Sequence, residues 1–551
     1  MGVRITVIIA VFSLLYSSLV FKLYTVQVEG RERYEAEAFS FHMKNGYLNP
    51  LRGGIYFTDK SGAVLPAAIN KEYPTIYAVP KDVKDAVYTA EILSDISMRD
   101  KEELVTILNK KDDLYEPVIK KATDEEVTKV LENNFGCLEG KKGCVDIEYK
   151  RSRLYPLGTL AAHLLGFVSA DESVGGAYGV EFYYNGELKG VAGVPEGDRI
   201  VQSAKAGDDL RLTIDLNIQK EAEKILSVLV EKYKAEKGTV IVQDPKTGKI
   251  LAMGSTPTFD LNSYNKYELK NFLNPAVQAV YEPGSIFKII TMASALDAGA
   301  ITPQTTYVDT GSLTLNGKTI RNWDLKAHGK LTMTQVIEGS VNTGAAFAEN
   351  TLGHDNFYKY LVKFGFKDKT GIDLPEEILG SLRPLEVDRR DINFATASFG
   401  QGVSMTPVSL LRAMSAIANH GVMMKPYLNA DLDPVVVGRV VSEEASREVV
   451  GMMVSAVNKA EIARIKSYTV AGKTGTAQVS DFTRGGYTDE VINTYIGFAP
   501  AYDPKFVILI KIDKPAGAPL AGLTVVPAFR DLAQFILNYY NVPPDDLINN
   551  Q

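Results

Sequence analysis

The stretch Glu282-Pro283-Gly284-Ser285-Ile286-Phe287-Lys288-Ile289-Ile290-Thr291-Met292-Ala293 governs how this chain is read. Glu282-Pro283-Gly284 breaks the backbone. Ile286, Ile289, Ile290 and Ala293 then recur at helical spacing, and Gly299 can end the run. Ser285 therefore falls at or near a helix N-terminus, and Lys288, one turn on, shares its face. A serine hydroxyl is a weak nucleophile until a base takes its proton, and a neutral amine within reach is such a base. The helix N-terminus favours negative charge developing on an attacked carbonyl oxygen and disfavours a charged Lys288, which a base requires.

Two further motifs follow in order, Ser340-Val341-Asn342 and Lys473-Thr474-Gly475. Singly they are cheap. Ser263-Tyr264-Asn265-Lys266 matches the first two, and Lys-Thr-Gly recurs at Lys246 to Gly248 and Lys369 to Gly371. The copy at 246 lies between the apolar runs Gly238 to Val242 and Ile250 to Met253 and reads as a hairpin turn. Ser263 and Asn265 sit in a polar loop after Pro257. A lone Ser-x-x-Lys is coincidence roughly nine times in ten; the ordered set at 285, 340 and 473 gives each motif a usable context. Ser340 and Asn342 follow a Thr332-x-x-Gln335 capping box, although a serine and an asparagine between helices more often serve as caps themselves.

The ordered set resembles the penicillin-binding and β-lactamase serine acyltransferases, whose three motifs line one cleft. The flanking phrases Tyr281-Glu282-Pro283-Gly284-Ser285, Asn322-Trp323-Asp324, Phe399-Gly400-Gln401-Gly402 and Ala471-Gly472-Lys473-Thr474-Gly475-Thr476-Ala477 resemble class B penicillin-binding proteins. So do Arg52-Gly53, Tyr155-Pro156 to Gly166, and Gly179-Val180-Glu181 with Leu188-Lys189-Gly190, which look like that class's pedestal domain. The stretch from Gly53 to Asp59 looks longer than usual for the family. The resemblance spans roughly residues 40 to 540.

It implies a peptidoglycan D,D-transpeptidase that is acylated by β-lactams and needs no cofactor. Ser285 would attack the penultimate D-Ala carbonyl of a stem peptide and pass the acyl group to a neighbouring amine. Lys288 would be the base, Ser340 a proton relay and Asn342 a holder of a substrate amide. Lys473, Thr474 and Thr476 would take the terminal carboxylate, and Gly475 would admit substrate to the strand edge. Backbone N–H groups of Ser285 and Thr476 would form the oxyanion hole. The phrase Gly339 to Gly344 and a compact pedestal look more like the septal, division type than the rod-elongation type. Implied partners are a polytopic lipid-linked glycosyltransferase and other division proteins of the membrane.

The expected fold class is α+β: one N-terminal transmembrane helix, an elongated pedestal, and a serine β-lactamase-like transpeptidase domain with an antiparallel sheet flanked by helices. The expected boundaries are a cytoplasmic tail 1–4, a signal anchor 5–23, a pedestal 24–207, a transpeptidase domain 208–541 and a polar tail 542–551. Ile5 to Phe21 is apolar enough to span about 25 Å as a helix, and no small-x-small cleavage site follows. Arg4 precedes the span while Lys22, Arg31 and Arg33 follow it, so the positive-inside count does not support an outside C-terminus. An extracytoplasmic catalytic domain on a bacterial inner membrane follows from the resemblance alone.

With 551 residues and a net charge of −7, the chain suits two or more globular domains and shows no basic footprint for nucleic acid. The 5 histidines are scattered without ligand spacing, so no metal is expected. Cys137 and Cys144, the 2 cysteines, can pair or stay free thiols; spacing leaves both open. Competing readings are a rod-elongation transpeptidase, a D,D-carboxypeptidase, a β-lactam sensor or hydrolase, and a non-catalytic scaffold. A sensor or hydrolase does not account for the long pedestal, and no Glu-x-x-Leu-Asn stretch lies between Asn342 and Lys473 to serve one class of hydrolase.

Overall fold

A computed structural model describes residues 50–546 apart from 140–142, 170–174, 197–198, 481–485 and 518–519, together with 15–18 and 22. The signal anchor expected at 5–23 lies otherwise outside the described residues, among which no helix is long and apolar enough to cross a membrane. The chain forms two compact units, Ala68–Pro156 and the remainder.

In the smaller unit, the part of β1 (Val64–Ala78) from Ile69 on runs antiparallel to both β2 (Glu116–Ile119) and β3 (Val145–Leu154). Helices α1 (Ala86–Ser97), α2 (Lys101–Leu108) and α3 (Asp124–Glu132) bury Leu93, Leu104 and Val130 with Ile76, Val118 and Val145 in one core. Their starts are written locally. Asp85 accepts from Val87 N and Tyr88 N ahead of α1, and Thr123 and Glu126 form a capping box at α3. Cys137 and Cys144 are disulfide-bonded, with Cα atoms 5.4 Å apart.

The larger unit is built around β4 (Leu210–Asp215), α4 (Leu216–Tyr233) and a five-stranded antiparallel sheet. The sheet's strands are β5 (Lys237–Gln243), β6 (Ile250–Thr256), β7 (Ala471–Ser480), β8 (Tyr487–Ala499) and β9 (Phe506–Asp513), in the order β6-β5-β9-β8-β7. The Lys-Thr-Gly copy at 246 is the β5–β6 turn. Central β9 is buried from Phe506 to Ile512, hence its apolar run from Phe506 to Ile510. On one face α4 and α10 (Val525–Tyr539) bury Ala222, Leu226, Phe529 and Leu532 against Val240, Ile508 and Ile510.

Helix α5 (Lys288–Asp297) is buried at every residue from Lys288 to Leu296 and so runs through the core. α6 (Met333–Gly339), α7 (Asn342–Leu352), α8 (Pro407–Ala418) and α9 (Glu443–Ala460) complete the helical side. The short strand Ile55–Thr58 pairs parallel with β4, so the boundary expected near Gly207 lies inside the larger unit. Two pedestal phrases meet there: Arg52 Nε donates to Glu181 Oε2 at 2.8 Å, and Glu181 is fully buried. The polar tail expected at 542–551 is packed in its described part. Val542 is buried, its carbonyl accepts from Tyr468 Oη at 2.6 Å, and Asp545 accepts from Thr469 N at 2.8 Å.

Candidate active site

The chain enters α5 through a 3-10 turn, Gly284–Phe287. Gly284 takes φ +58° and its N–H donates to Gly400 O at 3.2 Å. Gly400 has no Cβ for a related reason: one would stand 2.3 Å from Gly284 O. This places Ser285, half-buried, just ahead of the helix and sends Lys288 into the core on its first turn.

Ser340 ends α6 in the left-handed region (φ 54°, ψ 42°), which reverses the chain so that Asn342 begins α7. The Thr332–Gln335 capping box fixes the opposite end of α6. Lys473 lies on β7, the sheet edge nearest the nucleophile turn, with Thr474 half-buried and Thr476 exposed on the alternate face.

These three segments converge on one amine. Lys288 Nζ lies 3.0 Å from Ser285 Oγ, 2.5 Å from Ser340 O, 2.8 Å from Asn342 Oδ1 and 3.2 Å from Ser340 Oγ. Lys473 Nζ donates to Ser340 Oγ at 2.9 Å and to Thr474 O at 3.2 Å, so the Ser340 hydroxyl bridges both lysines. Burial, and then the charge on Lys473, hold Lys288 well below the usual lysine range; burial brings Lys473 down to about 7. No carboxylate pairs with either amine among the described hydrogen bonds and ion pairs.

Ser285, Lys288, Ser340, Asn342, Lys473 and Thr474 are thus brought together. Two residues make a further contact. Gly475 also admits the nucleophile turn: a Cβ there would stand 2.8 Å from Pro283 O and 3.0 Å from Ile286 Cγ1. The Thr476 hydroxyl accepts from Ala521 N at 3.2 Å.

Other contributors carried no assigned role in the sequence. Glu282 accepts from Tyr487 Oη at 2.9 Å and Ser480 Oγ at 3.0 Å, tying the β7–β8 hairpin to the residue before Pro283; burial pushes its carboxyl above the usual range. Trp323 Nε1 donates to Gly339 O at 3.0 Å, beside Ser340. The only signal for either was its place inside a family-like phrase.

Chemically, a desolvated amine between a serine hydroxyl and two carbonyl-type acceptors, with a second amine behind, suits proton abstraction and attack on a carbonyl next to an anionic group.

Comparisons with known proteins bear on the same regions. Residues 238–534 match the penicillin binding protein transpeptidase domain, and residues 47–211 the penicillin-binding protein dimerisation domain. The chain is 34% identical to stage V sporulation protein D of Bacillus subtilis, over 93% of this chain and 83% of that one. It is 29% identical to the probable peptidoglycan D,D-transpeptidase PenA of Neisseria meningitidis, over 98% and 93% respectively. The crystal structure of penicillin binding protein 3 from Mycobacterium tuberculosis in complex with aztreonam aligns with TM-score 0.68 at 26% identity, covering 90% of this chain and 98% of that one.

Proposed function

The chain belongs to the class B penicillin-binding proteins, the peptidoglycan D,D-transpeptidases, and from this we propose that it crosslinks stem peptides through an acyl-enzyme on Ser285. The observation that carries this reading is the set of contacts around Lys288 Nζ. Ser340 O at 2.5 Å and Asn342 Oδ1 at 2.8 Å only accept hydrogen bonds. A neutral amine spends its two protons on them, which leaves its lone pair for the Ser285 hydroxyl at 3.0 Å.

As Ser285 Oγ bonds to the penultimate D-Ala carbonyl carbon, its proton passes to Lys288. The carbonyl oxygen becomes an oxyanion facing the backbone N–H groups of Ser285 and Thr476. Collapse breaks the C–N bond, and the departing D-Ala amine takes a proton through Ser340 Oγ, which lies 3.2 Å from Lys288 Nζ and 2.9 Å from Lys473 Nζ. Lys473 with Thr474 and Thr476 holds the donor's carboxylate, and Asn342 a substrate amide. A second amine, from a neighbouring stem peptide, then takes the acyl group. β-Lactams acylate the same serine.

The test is to incubate the protein with a labelled penicillin, map the modified peptide by mass spectrometry and follow loss of label over hours. A lasting adduct on Ser285, absent in Ser285→Ala, is expected. Rapid loss of label supports hydrolysis, and no adduct sinks the acyltransferase reading.

The apolar run from Ile5 to Phe21 and the family's wall substrate support an inner-membrane anchor with the catalytic domain outside. A lipid-linked glycosyltransferase and other division proteins would be its membrane partners. The Gly339 to Gly344 phrase supports a septal role. The similarity to stage V sporulation protein D favours a second reading, crosslinking during sporulation. Depletion separates these: filamentous cells support septal synthesis, round cells elongation, and a defect confined to spores the sporulation role.

A further inference from the structure

Asp309 lies in none of the three motifs, yet it is 2% exposed and every acceptor position of its carboxylate is used. Oδ1 accepts from Thr343 Oγ1 at 2.7 Å and Gly311 N at 2.9 Å; Oδ2 accepts from Asn322 Nδ2 at 2.8 Å and His328 N at 2.9 Å. Burial opposes its charge, but these donors together hold the carboxyl below the usual range.

The two side chains it grips lead to the site. Asn322 Oδ1 accepts from Thr343 N at 3.3 Å, at the start of α7, whose own N-cap residue Val341 offers no side-chain acceptor. Asn322 thus caps α7 from 21 residues away in sequence. The preceding carbonyl, Arg321 O, accepts from Asn342 Nδ2 at 2.9 Å. An amide whose NH2 is engaged there must turn its oxygen the other way, and that oxygen meets Lys288 at 2.8 Å.

We propose that Asp309 is a positioning residue for the acylation step: by fixing Asn322 and Thr343 it aims the Asn342 amide oxygen at Lys288 and so sets the orientation and basicity of that amine. This rests on the reading of Lys288 as the general base. The ionisable group facing Lys288 is Lys473; those facing Asp309 and its partners are Tyr307, whose Oη is 3.1 Å from Thr343 Oγ1, and His328, whose ring lies by Asp324.

Asp309→Asn is isosteric but turns an NH2 against donors on one side or the other. Acylation by a labelled penicillin is followed across pH, with the modified residue mapped. The plateau rate constant should fall between about 10- and 100-fold. The acid limb should move down by about one pH unit, because the ammonium form of Lys288 loses an acceptor. Thr343→Val, which removes a single donor, should shift the limb the same way by less and decides the matter if Asp309→Asn does not fold. A limb unmoved in Thr343→Val, or a plateau loss in Asp309→Asn that only tracks the folded fraction, overturns the proposal. Failure of the wild-type protein to label Ser285 would instead overturn the acyltransferase reading.

Discussion

Raising the pH should disarm Lys473. Lys473 is 4% exposed, and burial brings its amine down to about 7. In the proposed mechanism only the ammonium form holds the donor's carboxylate. The folded value is depressed, so the charge is lost as pH rises through about 7 and is restored when an anion binds beside it. The charged fraction falls from about one half at pH 7 to about one hundredth at pH 9, so acylation by a carboxylate-bearing penicillin should slow roughly fiftyfold over that interval. Lys288 contributes a limb of the opposite sense on the acid side, because a base must be neutral, and the profile is a bell belonging to the coupled pair. The assay is the second-order acylation rate from pH 5 to pH 9, with calorimetry in buffers of differing ionisation enthalpy to count protons. About one proton should be taken up per anion bound near pH 8. Lys473→Met should be slow and lack the alkaline limb. A flat wild-type profile between pH 7 and pH 9, or an alkaline limb that survives in Lys473→Met, would overturn this account.

Lys288→Met should lower the acylation rate by about 10²- to 10⁴-fold while the fold is retained, measured by labelling and circular dichroism. The same depressed lysines make stability rise with pH. Each folded-state amine binds fewer protons than its unfolded counterpart, which adds about 1.4 kcal/mol per pH unit for Lys473 between about pH 7 and pH 10; denaturant titrations of Lys473→Met should show that slope reduced. Gly475→Ala should cost about 1–3 kcal/mol and slow acylation, since its methyl meets Pro283 O at 2.8 Å; an unchanged melting temperature counts against that packing. Reduction of the Cys137–Cys144 bridge, which spans a sequence separation of 7, should destabilise the Ala68–Pro156 unit by about 2–3 kcal/mol and hasten its proteolysis without affecting penicillin labelling.

What the sequence revealed follows from how local each cause is. Ser285 and Lys288 are three apart on one helix, so their contact is a matter of pitch, and the buried strand β9 announces itself by an apolar run. The β5–β6 hairpin was legible because its turn residues lie between two such runs. Asp309 was not, because its partners Asn322 and Thr343 are 13 and 34 residues away and nothing near it has a period. The direction of the missing Cβ in Gly475 is likewise set by a different segment, Pro283 to Ile286. The tail looked solvated because Asp545, Asp546, Asn549 and Asn550 are polar, yet Asp545 is engaged by Thr469 N, which only the tertiary structure brings near. The disulfide was open because two cysteines seven apart can face either way.

Trp323 is the 1 tryptophan in 551 residues, the residue is 61% exposed, and its Nε1 is fixed to the carbonyl next to Ser340. Light absorbed at the red edge, beyond the tyrosines, is therefore emitted from a single place at the rim of the reacting groups. A ligand that fills the cleft should change the polarity around that indole, which gives the wild-type protein its own optical gauge: emission at this wavelength is expected to time the filling and emptying of the site without a label or an added fluorophore.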